Sequence, residues 1–99
     1  MWRLWAQAIV QHALGRRPDS DATLLQLIEK HADIAAFQVA EVQAARGEVD
    51  RAFEWLERAY AQRDPRLSLM KPNPRLRSVH GDPRWNAFLK RMGLSDSRD

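Results

Sequence analysis

Slid along itself by 32 residues, the chain meets itself at Ala8 and Ala40, Val10 and Val42, Gln11 and Gln43, Ala13 and Ala45, Gly15 and Gly47, and Leu24 and Leu56. Trp5 then lies over Phe37, and Ile28 over Tyr60. Few folds accommodate such a match. A self-match at a fixed period of this size means that one supersecondary unit is used twice, and a unit so short cannot bury its apolar face alone, so consecutive units must stack. The spacing inside each unit is helical. In residues 49–62, Val49, Ala52, Phe53, Leu56, Ala59 and Tyr60 follow the i, i+3, i+4, i+7 rule, with Asp50, Arg51, Glu54, Glu57 and Arg58 mostly opposite. Trp55 falls outside that stripe. A bulky residue at Ala52 is therefore expected to hurt stability more than a change at Trp55.

The same reading extends along the chain. Residues 2–14 set Trp2, Trp5, Ile9 and Ala13 against Arg3, Gln7 and Gln11, and Gly15 closes the helix. Residues 20–31 carry Leu24, Leu27 and Ile28 on one face, with Asp19, Ser20 and Asp21 as acceptors for the free N–H groups at the start. Lys30 and His31 sit at the far end, where positive charge suits the helix dipole. Residues 34–46 are rich in Ala around Ile34, Phe37, Val39 and Val42, and Gly47 supplies the left-handed position that ends a helix. No stretch alternates apolar and polar residues as a strand does. The expected fold is all-α, with two helical hairpins before residue 64.

Four of the five prolines, Pro65, Pro72, Pro74 and Pro83, then fall within residues 65–83, and each discourages helix at the residue before it. Short helical pieces fit there, one around Leu67, Leu69 and Met70 and one around Leu76 and Val79. Asp82 is expected to cap, and Pro83 to open, a last helix with Trp85, Phe88, Leu89 and Met92 on its inner face and Gly93 at its end. The organisation expected is one helical domain over residues 1–94. It divides into a first unit 1–32, a second unit 33–65 and a capping segment 66–94, followed by a disordered tail 95–99.

Residues 33–65 resemble a tetratricopeptide repeat (TPR). Gly47 stands at the turn glycine, Ala52 and Ala59 at the small residues that admit a neighbouring helix, Leu56 at the large residue between them, and Pro65 at the closing proline. Residues 81–94 resemble the segment that closes TPR regions in bacterial multidomain proteins. The resemblance implies a TPR-like α-solenoid of about two hairpins plus a C-terminal capping helix, the C-terminal repeat-and-cap part of such a region. In that family the first helix of each hairpin lines a concave groove. The groove residues it implies are Trp2, Trp5, Ile9 and His12 in the first unit and Ile34, Phe37, Glu41 and Ala44 in the second. It further implies a scaffold that binds a peptide or a partner's helix, as the C-terminal part of a larger regulatory protein or as a small adaptor.

Composition narrows the chemistry. A chain of 99 residues holds one domain with one modest core. With no Cys there is no disulfide framework, thiolate metal site or thiol nucleophile. His12, His31 and His80 are too scattered for a metal site, no serine sits in a nucleophile-elbow context, and no glycine-rich phosphate loop occurs. No catalytic residue, metal or cofactor is expected. No stretch approaches the roughly 20 apolar residues of a membrane span. The first fourteen residues are interrupted by Gln7, Gln11 and His12, unlike a signal sequence, so a cytoplasmic protein is expected.

Charge supplies the alternative. Residues 1–62 carry seven Lys/Arg against nine Asp/Glu, whereas residues 63–92 carry eight against two. Arg63, Arg66, Lys71, Arg75, Arg77, Arg84, Lys90 and Arg91 are therefore candidates for contact with nucleic acid or another anionic surface. This segment lacks the interleaved aromatics of common single-strand binders. Finally, an opening helix with Trp2, Trp5 and Ile9 needs those side chains covered, by weak self-association, another segment, a ligand or the later helices.

Overall fold

The computed structural model describes residues 2–65, 67 and 73–93, with the side chains of residues 2, 74 and 75 outside that description. The helices are α1 (Trp2–Ala13), α2 (Arg17–His31), α3 (Ala36–Ala45), α4 (Val49–Ala61) and α5 (Pro83–Met92), with a short 3-10 helix at Pro74–Val79 before α5. No strand occurs among the described residues. The chain is all-helical there, as its spacing predicts. Met1, Arg66 and residues 68–72 and 94–99 lie outside the described residues, so the expectations for Leu69, Met70, the end of the capping segment and the tail are not addressed.

The 32-residue match reappears in the backbone. At the end of α1 the N–H of Gly15 donates to the His12 carbonyl and that of Arg16 to Gln11; at the end of α3, Gly47 donates to Ala44 and Glu48 to Gln43. Each bond recurs 32 residues on. Both glycines have φ of +78°, the left-handed conformation that lets a helix reverse within one residue. The α4 end makes the same two bonds, Arg63 to Tyr60 and Asp64 to Ala59, but with Arg63 at φ +55° where glycine would be unstrained.

The core runs through α3. Every residue of Ala36–Ala44 is buried, because α1, α2, α4 and the 3-10 helix all pack around this one helix. Small side chains make that possible. Ala36, Ala40, Ala44, Ala52 and Ala59 are fully buried and let neighbouring axes approach, while Leu27, Leu56, Leu67, Leu76 and Val79 fill the space between. The last segment behaves as expected: the Asp82 carboxylate accepts from the Arg84 N–H at 2.9 Å, Pro83 opens α5, and Gly93 at φ +72° ends it.

Four local expectations are corrected. α2 starts at Arg17, not near residue 20, with Pro18 in its first turn, where its missing N–H costs nothing. Ser20 does not cap it; its hydroxyl points into the core and donates to the Ala8 carbonyl at 2.8 Å. On α4 the buried stripe is wider than one face, so Trp55 is buried and Tyr60 is exposed. α3 begins at Ala36, which leaves Ile34 in the preceding turn.

Candidate functional site

The second-unit residues expected to line a groove are not on an open surface. Phe37, Glu41 and Ala44 are buried, and only Ile34, at 57% exposed, faces solvent. The cause is the proline-rich segment. Asn73 Nδ2 donates to Glu41 Oε2 at 2.8 Å and Ser78 Oγ donates to the Ala44 carbonyl at 2.5 Å, so residues 73–79 lie along the side of α3 that a ligand would need. In the first unit Trp5, Ile9 and His12 are half-buried, with Trp5 and Ile9 against the core. The Trp2 side chain is outside the described residues. The later helices thus cover part of the opening helix. Val10 on the same helix and Leu14 in the turn after it remain exposed.

The basic residues divide into two kinds. Arg84 bonds to Asp50 at 2.7 Å and to Asp82 at 2.9 Å, and Arg91 makes a two-pronged pair with Glu57 at 2.8 and 2.5 Å. Their guanidinium groups also lie 4.7 Å from the Phe53 ring and 4.8 Å from the Tyr60 ring. These contacts hold both guanidiniums still more firmly charged than usual, Arg84 through Asp82 and Asp50 and Arg91 through Glu57. Their charge is spent locally, joining α5 to α4. Arg63, Arg77 and Lys90 are exposed, while Arg66, Lys71 and the Arg75 side chain fall outside the described residues.

A cleft that the sequence did not announce lies between α2 and the turn into α4. It encloses about 730 Å³ and is lined by Leu24, Leu25, Ile28, Gln43, Arg46 and Arg51 among others. Arg46, with a side chain only 3% exposed, bonds through Nη2 to Asp21 and, at 2.9 Å, to Glu48. Glu48 also faces Arg17 at 3.6 Å. The signal available in the sequence was weak: Leu14 stands where Arg46 does one unit later, so the repeat gave no hint of a buried arginine.

The junction between the 3-10 helix and α5 titrates. The His80 ring lies 4.3 Å from that of Trp85, tilted by 30°, with Nε2 buried and unbonded. Burial first, and the Arg77 charge second, lower its pKa below the ordinary 6.5. The unfolded chain then binds the proton more readily, so stability is complete above about pH 6.5 and falls as pH drops toward the folded value. Asp82, lowered to about 2 by its hydrogen bonds from Arg84, adds a second loss as pH falls from about 4 toward 2. The thermal midpoint is therefore expected to decline from pH 7.5 to 5.5, and His80→Gln should flatten that step while leaving the one below pH 4.

Among the described residues no group of three or more His, Asp or Glu is placed to hold a metal ion, and no helix is long and apolar enough to cross a membrane. The chain matches no model of a known protein family, no curated protein and no solved structure.

Proposed function

We propose that the chain is a short helical-repeat scaffold of TPR type that binds a protein partner through its surface and carries out no chemical step. What supports this reading is a repeated step in the contacts: Ala44 meets Ser78, Asp50 meets Arg84 and Glu57 meets Arg91, each pair 34 residues apart. The three share one sequence offset. In a stack, each unit meets its neighbour through equivalent positions, and the 32-residue match in the first two turns fits the same plan. On this plan the 3-10 helix and α5 are a shortened third hairpin, whose first helix fills the groove over α3. The accessible part of the groove is then the face of α1, where Trp5, Ile9 and His12 lie half-buried. Val10 and Leu14, 54% and 66% exposed, extend the apolar surface beside it and are where weak self-association would occur.

Binding of nucleic acid through the exposed Arg63, Arg77 and Lys90 is the competing outcome. Photo-crosslinking in cells separates the two. A photoreactive residue at position 9 or 12 is expected to give protein adducts, and one at position 77 or 90 none with nucleic acid. Nucleic-acid adducts at 77 and 90 with a bare α1 would overturn the proposal.

A further inference from the structure

The two units differ in what lies against their first helices. At the end of α3, Arg46 and Glu48 meet α2 through Asp21 and Arg17, the second pair at 3.6 Å. Helical spacing carries that face back from Arg46 to Val42 and Val39, both fully buried. One unit earlier the same places hold Leu14, Val10 and Gln7, and all three are exposed. The register is kept, because the Leu14 N–H still donates to the Val10 carbonyl. This flank of α1 is therefore built as a stacking face, and no described residue is stacked on it.

The charges specify what fits it. No Asp or Glu precedes Asp19, and Arg3 and Arg16 are exposed with no ionic partner among the described residues. Glu48 takes Arg17 from the helix packed on its unit; its counterpart is Arg16, so the charge wanted opposite is reversed. Arg46 takes Asp21; its counterpart is Leu14, which wants an apolar side chain. Arg17 and Asp21 are one turn apart on α2, with Leu24 the next large apolar residue along. α2 runs antiparallel to α3, since Asp21 lies beside the end of α3 while the His31 carbonyl accepts from Ala35 at its start. A helix seated in the same way on α1 passes Arg16 first, then Leu14 and Val10, and Arg3 last.

We infer that this flank docks a helix of a partner protein that carries Asp or Glu one turn before a large apolar residue and a second such residue three positions later. The carboxylate pairs with Arg16, and the two apolar side chains cover Leu14 and Val10. Two turns beyond them a second carboxylate meets Arg3. Within this chain the same spacing occurs at Asp21, Leu25 and Ile28 on α2, but Asp21 is bonded to Arg46, and Arg17 and Arg51 line the same cleft and would repel Arg16. A different protein therefore fits better than a second copy. The inference rests on the protein-binding reading above and names the partner's chemistry, on the flank beside the half-buried Trp5, Ile9 and His12.

The test is an NMR titration of the full chain with an Ala-rich peptide of about 18 residues, long enough to populate helix, that carries Glu, Leu, Leu and Glu at this spacing. The methyls of Ala6, Val10 and Leu14 and the backbone amide of Arg16 are expected to shift. Replacing both peptide Leu by Ser should weaken binding by about tenfold or more, and Leu14→Ser should act in the same direction. Arg16→Glu should weaken the Glu peptide severalfold and favour one with Lys in its place, a swap that only a direct pair produces. Leu14 and Arg16 are exposed, so both variants should keep the native spectrum elsewhere, and Arg63→Glu should change nothing. Shifts at Trp5 and Ile9 in place of the flank would overturn this site and leave the scaffold reading standing. Concentration-dependent shifts of Val10 and Leu14 without peptide, undisturbed when it is added, would give the flank to a second copy and overturn the partner helix. Equal affinity of Arg16→Glu for the Glu and Lys peptides, or no shift anywhere at millimolar peptide, would overturn the assignment, and the scaffold reading would then stand or fall on the crosslinks from positions 9 and 12.

Discussion

Trp55→Ala is expected to lower stability by about 3–5 kcal/mol, the range for emptying a buried aromatic site, and so to exceed Ala52→Leu, an overpacking change of about 1–3 kcal/mol. This ordering reverses what the sequence suggests. Trp55 is 8% exposed, with the Arg58 guanidinium 4.3 Å over its ring, so truncation removes a large volume that its surroundings cannot refill. Ala52 is fully buried, and leucine there would push α4 off a neighbour without opening a void. In a domain of about 100 residues each kcal/mol moves the thermal midpoint by roughly 4–8 °C, so the two variants are separable by circular dichroism melts. A Trp55→Ala midpoint at or above that of Ala52→Leu would mean that α4 is packed on one face only.

The reason Trp55 was misread lies in an assumption that spacing arguments carry. A period of 3.6 residues reports one apolar stripe, which holds for a helix with a single covered face. α4 buries Ala52, Phe53, Trp55, Leu56 and Ala59 over a wider arc, because more than one element packs on it. α3 is the extreme case. Its Gln38, Glu41 and Gln43 are polar, yet all are buried. The Ala-rich composition around them was the true signal, since small residues permit close approach on every side. Ser20 shows the same logic from another direction. Its hydroxyl looked like a cap, but the repeat places Ser20 over the buried Ala52, and a small residue where helices approach is what that register demands.

The helices and turns were legible because local chemistry determines them: Gly15 and Gly47 take left-handed backbone, and Asp82-Pro83 opens α5. The cleft was not. Its floor joins Arg46 to Asp21, 25 residues apart, across a helix pair whose approach no local signal records. Likewise, covering of the α3 groove depends on Asn73 reaching Glu41 and Ser78 reaching Ala44, through a stretch where prolines announce only the absence of long helix. The sequence could say what kind of helices to expect and in what order. It could not say which of their faces a later segment would cover.

That covering is what the largest expected effect tests. Deleting residues 81–99 removes Trp85, Phe88 and Leu89, all buried, and takes Arg84 and Arg91 from Asp50 and Glu57. Burial and ion pairing make unequal contributions here. Each large side chain contributes about 1.5–3 kcal/mol when removed from water, whereas an exposed arginine–carboxylate pair is worth about 0–1 kcal/mol. The apolar contacts therefore dominate, including the edge-on packing of Phe88 against Tyr60 at 6.0 Å. The truncated chain would present Phe53 and Tyr60 on an uncovered flank of α4, a patch that favours association. It should melt earlier and less cooperatively than the full chain and sediment as a mixture of oligomers. Arg91→Ala in the full chain should cost no more than about 1 kcal/mol, which separates the loss of charge from the loss of burial. A truncated chain that is monomeric with an unchanged midpoint would show that α5 is an appendage and that α4 needs no cover. A truncation no worse than Arg91→Ala would instead place the stabilisation in the ion pairs.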